Sequence, residues 1–99
     1  MTKDKILEIL KANLQQLTIE YGVRRIALFG SYAKGTHTTD SDVDMLVEFE
    51  RPIGLRFMEF SERIENLIGA KADILTPAGI SSIRNHRILT DIQWSLIYV

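Results

Sequence analysis

Two aspartates one residue apart, Asp42 and Asp44, are the strongest chemical signal in the chain. An extended backbone turns alternate side chains to one face, so a strand opening at Asp42-Val43-Asp44 presents two carboxylates that can share a cation. Gly30 and Ser31 come before them, with ten residues between Ser31 and Asp42, where the apolar run Arg25-Ile26-Ala27-Leu28-Phe29-Gly30 ends. Glycine there lets backbone approach a ligand closely, and amides opening a helical turn after it can cradle phosphate. Hard carboxylate oxygens beside phosphate suit magnesium, which takes one or two carboxylates and fills its remaining positions with water and phosphate oxygens.

A third acid, Asp73, lies among Ala72, Ile74 and Leu75. That setting predicts an interior strand, in which an unpaired carboxylate would cost several kcal/mol or shift its pKa until neutral. A metal shared with Asp42 and Asp44 would give it a partner. Two metals clamped by three carboxylates could orient an attacking hydroxyl and a leaving pyrophosphate for in-line displacement, with Asp73 assisting deprotonation of the hydroxyl. Each signal also has a plainer explanation: Asp40-Ser41-Asp42 is ordinary turn composition, Gly30 can be a turn glycine, and Ser31 can be an N-cap. The pair, its spacing and the downstream acid together outweigh those explanations.

The elements that must hold these residues follow from periodicity. Ile6, Leu7, Ile9, Leu10, Leu14 and Leu17 recur at helical spacing, with Thr2 or Asp4 as N-cap and Gly22 as stop. A buried strand over 25–30 follows, then a short polar loop or helical turn over 31–40. Val43, Met45, Val47 and Phe49 alternate with Asp44, Leu46 and Glu48, the pattern of a strand covered on one face only. Pro52 ends it, and Leu55, Met58, Ile64, Leu67 and Ile68 predict a second long helix over 53–69. Residues 72–76 read as a third strand. Residues 80–89 and 91–98 read as one or two short helices, the last ending extended. The order predicts an α+β fold, a mixed α/β sandwich with helices packed on a small mixed sheet. The link between the first two strands is too short for a parallel crossover, whereas the second long helix can span one.

The composition narrows the function classes. The 99 residues read as one domain over 1–99; 13 acids against 12 bases give a formal net charge of −1, and no basic run is present to neutralise a phosphate backbone. Stable nucleic-acid binding is therefore not expected. Without cysteine there is no disulfide scaffold, thiolate metal site or cysteine nucleophile. No secretory leader and no run of 18 apolar residues is found, so a cytoplasmic protein without membrane contact is expected. His37 reads as a solvated loop histidine outside the site, and Arg84, His86 and Arg87 as a solvated basic patch. Ile92, Trp94, Leu96, Ile97 and Tyr98 read as closing core rather than as an exposed docking patch.

The run GSYAKGTHTTDSDVDMLVEF, with Lys71-Ala72-Asp73-Ile74-Leu75 downstream, resembles the signature of the DNA polymerase β-type nucleotidyltransferases. More narrowly it is similar to the minimal nucleotidyltransferases, the MntA-like antitoxins encoded beside HEPN-domain toxins. The resemblance covers almost the whole chain. It implies that Gly30 and Ser31 contact the triphosphate of ATP, that Asp42 and Asp44 bind Mg2+, and that Asp73 completes the site. Ser41 either touches the nucleotide or caps its turn. Lys34 stands where many relatives carry arginine, which keeps the charge but loses the planar fork. Active members transfer AMP from ATP to a tyrosine of the HEPN toxin and silence it. One domain of this length leaves no residues for an acceptor-binding domain, so a partner that presents its own side chain fits. The rival expectations are an antitoxin that neutralises the toxin by binding alone and, behind it, a small-molecule nucleotidyltransferase.

Overall fold

The computed structural model describes residues 2–77 and 96–99. Helix α1 (Lys3–Tyr21) starts where the Thr2 hydroxyl accepts the Lys5 amide at 3.2 Å, and it stops at Gly22, whose φ of 72° lets its N–H reach the Thr18 carbonyl. Strand β1 (Val23–Phe29) leads into α2 (Gly30–Lys34), followed by β2 (Val43–Phe49), α3 (Arg56–Ile68), β3 (Ala72–Leu75) and β4 (Ile97–Tyr98). The sheet order is β3-β2-β1-β4. β1 runs antiparallel to both β2 and β4, and β2 runs parallel to β3 across the α3 connection. The expected mixed sheet and its expected connections are present. No helix among the described residues is long and apolar enough to cross a membrane.

One sheet face carries the core. Ile26 and Leu28 of β1 and Val43, Met45 and Val47 of β2 pack against Ile6, Leu10, Leu17 and Tyr21 of α1 and against Phe60, Ile64 and Ile68 of α3. Phe60 sits edge-on to Tyr21 at 5.2 Å and to Phe49 at 5.1 Å, tying both helices to the end of β2.

Three expectations need correction. Leu55 and Met58 belong to no core stripe: they are 98% and 76% exposed. The buried stripe of α3 is Phe60, Ile64 and Ile68, and at 3.6 residues per turn Met58 lies about 200° around the helix from Phe60. The helix also starts later than expected, because Gly54 adopts a positive φ and residues 53–55 form a turn. Among the described strands, Asp73 does not lie in an interior one. β3 is the outermost described strand on its side, and Asp73 is exposed, since alternation turns Ala72 and Ile74 toward the core and Asp73 away from it. Finally, Ile97 and Tyr98 form a strand on β1, the extended end that was expected, with the Val99 amide bonded to the Ile26 carbonyl at 2.9 Å, but Tyr98 is 52% exposed and so is not closing core. The expected helix over 80–89, the basic patch at 84–87, and Ile92 and Trp94 lie outside the described residues.

Phe60→Ala removes the ring on which both helices and β2 converge, and it is expected to cost about 3–5 kcal/mol in urea unfolding. Met58→Ala on the same helix is expected to change stability by less than about 0.5 kcal/mol.

Candidate active site

The register of three strands assembles the acidic residues. β1 pairs Phe29 with Asp44, and β2 in turn pairs Asp44 with Asp73. Residues paired across neighbouring strands share a face, so the Asp44 and Asp73 side chains project from adjacent strands roughly 4.8 Å apart, away from the helices. Asp42 lies just before the first residue of β2 and is exposed. The Val43 amide that follows it is fixed to the Lys71 carbonyl at 2.9 Å, so the entrance to β2 is fastened to the entrance to β3.

Gly30 sets the other wall. Its φ is 71°, in the left-handed region, and the chain turns there from β1 into α2. A Cβ on this residue would collide with Asp44 Oδ2 and stand 3.1 Å from Asp44 Cγ. The missing side chain is therefore the space that the Asp44 carboxylate occupies. Ser31 follows in the first turn of α2, which no side chain caps. Lys34 falls in the last turn, where a cation complements the helix dipole.

The segment from α2 to β2 is tied down along its length. The Thr36 amide donates to the Ser31 carbonyl at 2.9 Å. Ser41 caps a turn: its hydroxyl accepts the Thr38 amide at 2.9 Å, and its own amide donates to the Thr38 carbonyl at 3.1 Å. Ser41 thus fills the capping role expected of it. The expectation of a solvated His37 fails. Its ring is half-buried and stacked on Tyr32, with centroids 4.0 Å apart and planes 7° from parallel. The sequence carried no periodic signal for this contact, because the two residues lie on either side of the Gly35 turn.

Electrostatics separates two acids of the same strand face. Glu48 is held below the usual glutamate range, chiefly by hydrogen bonds from Arg25, whose Nε donates to Glu48 Oε2 at 2.8 Å, with Arg24 adding to the effect. Asp44 is held above the usual aspartate range, first by desolvation and then by the negative charges of Asp73 and Asp42. Among the described residues no cationic side chain pairs with any of these three aspartates. No group of three acidic or histidine side chains among them stands close enough to hold a metal ion unaided. The donor set nevertheless fits magnesium bound jointly by protein and phosphate: carboxylate oxygens only, uncompensated charge, and a glycine turn beside them. An apolar cavity of about 680 Å³, lined by Phe49, Ile53, Phe57 and Leu75 among others, lies at the far ends of β2 and β3 and takes no part in this cluster.

Comparison with known proteins finds relatives of the whole fold. The nucleotidyltransferase domain family model matches residues 3–98. Protein adenylyltransferase MntA of Thermococcus cleftensis is 41% identical over 83 residues, covering 83% of this chain and 84% of its own. A solved minimal nucleotidyltransferase superposes with a TM-score of 0.74 at 28% identity, covering 98% of this chain and 95% of that one. In a complex of tri-AMPylated Shewanella oneidensis HEPN toxin with MNT antitoxin, one chain has the same fold: TM-score 0.54, 16% identity, covering 97% of this chain and 66% of that one.

Gly30→Ala is expected to destabilise through both backbone strain and collision with Asp44. In an Asp44→Ala background the collision with the carboxylate is gone, leaving the left-handed strain, about 1–2 kcal/mol, and a tight 3.3 Å contact with the Cβ at position 44; a double-mutant cycle in urea reads the difference. The raised Asp44 pKa has the opposite consequence from a salt-bridged carboxylate. Because the folded protein holds this proton more tightly than the unfolded chain, ionisation opposes folding at pH values above the folded-state pKa, and the penalty disappears below the unfolded one. Asp44→Asn is therefore expected to raise the melting temperature at neutral pH in metal-free buffer. The gain should shrink as the pH falls through the carboxyl range.

Proposed function

The chain belongs to the nucleotidyltransferase domain family, and from that premise we propose that it is a protein adenylyltransferase antitoxin. It would transfer AMP from ATP to a side-chain hydroxyl, tyrosine in this reading, of a cognate HEPN-domain toxin in the cytoplasm and so neutralise it. The observation that carries the proposal is the clustering of Asp44 with Asp73 and Asp42, unpaired by any cation among the described residues, against the Gly30 turn. The name of the Thermococcus relative supports a protein as the acceptor, and the HEPN complex, which shares the fold, is consistent with the class of partner.

In the proposed reaction the Gly30–Ser31 turn lies along the triphosphate, close enough for backbone amides to donate to phosphate oxygens because Gly30 has no side chain. Asp42 and Asp44 would hold Mg2+ together with those oxygens. Bound there, magnesium would withdraw charge from the α-phosphate and the leaving pyrophosphate. Asp73, exposed on the outer strand, is open to an incoming acceptor and takes the proton of its hydroxyl. The hydroxyl oxygen forms a bond to the α-phosphorus, the bond from that phosphorus to the bridging oxygen breaks, and pyrophosphate leaves with the electron pair.

A scaffold that only covered a toxin would gain nothing from three aspartates that repel one another, which favours catalysis over binding alone. The test is the intact mass of the HEPN partner after incubation with the protein, ATP and magnesium. Increments of AMP are expected, falling by about a hundredfold or more in rate with Asp42→Asn/Asp44→Asn. A stable complex whose partner never changes mass would replace the enzyme with the binding module.

A further inference from the structure

His37 is the one described residue with a buried side-chain nitrogen, Nδ1, that has no hydrogen-bond partner. A buried polar atom without a partner opposes folding, so something else about this side chain must hold it in place. What the structure offers is the ring face: imidazole lies flat on the Tyr32 phenol ring, 4.0 Å between centroids, and Tyr32 is buried at 5% exposure in the core. The chain between these rings leaves α2 at Gly35, and the chain beyond them runs through the Thr38–Ser41 turn to Asp42. Asp42 itself is exposed and has no cationic partner among the described residues. Its position is therefore set by the backbone on either side. Downstream that backbone is fixed by Val43 on Lys71; upstream, beyond the local turn, the contact with the core among the described residues is His37.

We propose that His37 is a positioning residue, whose ring, stacked on Tyr32, anchors the loop that delivers Asp42 and thereby sets the affinity for a divalent cation–nucleotide complex. The inference rests on the function proposed above. It assigns the work to the ring face and none to the nitrogens, which separates it from a role as general base. An aromatic ring without nitrogens should serve as well, and should also remove the orphaned Nδ1.

Two substitutions divide the side chain accordingly. His37→Phe keeps a ring and has no polar atom. His37→Asn keeps a polar group near the Nδ1 position and has no ring. Two readouts are taken: hydrogen exchange of the amides at 36–42, and the affinity for Mn2+ in the presence of an ATP analogue that cannot be cleaved between the α and β phosphates, by water-proton relaxation. His37→Asn is expected to speed exchange across 36–42 and to weaken Mn2+ binding about tenfold, as loss of support behind a metal ligand does. His37→Phe is expected to match wild type in both and to melt at or above the wild-type temperature. If His37→Phe binds Mn2+ as poorly as His37→Asn, the nitrogen matters and the proposal is overturned. If His37→Asn binds Mn2+ as wild type does, the stack does not position Asp42 and the proposal falls equally. Wild type that binds no Mn2+–nucleotide complex at all would instead defeat the proposed function, while exchange at 36–42 still reports whether the ring anchors the loop.

Discussion

The fold is arranged around one close approach: the Asp44 carboxylate fills the space beside Gly30 that any side chain there would occupy. That contact requires the end of β1 to lie opposite the start of β2, the chain to turn through a positive φ immediately afterwards, and β2 to be buried on its other face so that its register cannot slip. Val43, Met45 and Val47 supply that register. Each is wholly buried beneath α1 and α3, so a shift of one residue would exchange them with Asp44, Leu46 and Glu48. The helices thus act on the site through the strands, by making one alignment of β1, β2 and β3 far better than its neighbours.

The same face of the sheet is charged in two different ways. At one end Glu48 is satisfied by Arg25 and Arg24, and Arg25 also lies over the Tyr98 ring, so the last strand is bound into the same cluster. At the other end the aspartates repel one another at a partly desolvated position. Stability alone would favour the Glu48 arrangement at both ends. Keeping carboxylates that no described cation pairs with in register is the kind of local cost that proteins carry at working sites, and here it is offset by the aromatic contacts of Phe60 and by the well-capped α1.

Much of this could be read from residue types. The alternation in β2, the Gly22 stop and the helical spacing of α1 are local or periodic features, and they appear as expected. What the sequence obscured was tertiary. Ala72, Ile74 and Leu75 around Asp73 suggested an interior strand, yet a two-residue alternation puts an acid on the open face of the outermost described strand equally well. Leu55 and Met58 matched a helical interval that Phe60, Ile64 and Ile68 define more strongly, and an aromatic with two ring partners decided which side faced inward. His37 on Tyr32 is a stack between a loop and a short helix, a contact that no repeat announces.

The central claim is that Gly30, Ser31, Asp42, Asp44 and Asp73 form one site for a triphosphate and its cation. The most direct measurement is a crystal structure with Mn2+ and an ATP analogue that cannot be cleaved between the α and β phosphates, using the anomalous signal to locate the metal. The account predicts a manganese peak between Asp42 and Asp44, with the phosphates against the Gly30–Ser31 turn and Asp73 within reach of the α-phosphorus. A nucleotide bound elsewhere, with no anomalous peak at these aspartates, would contradict it.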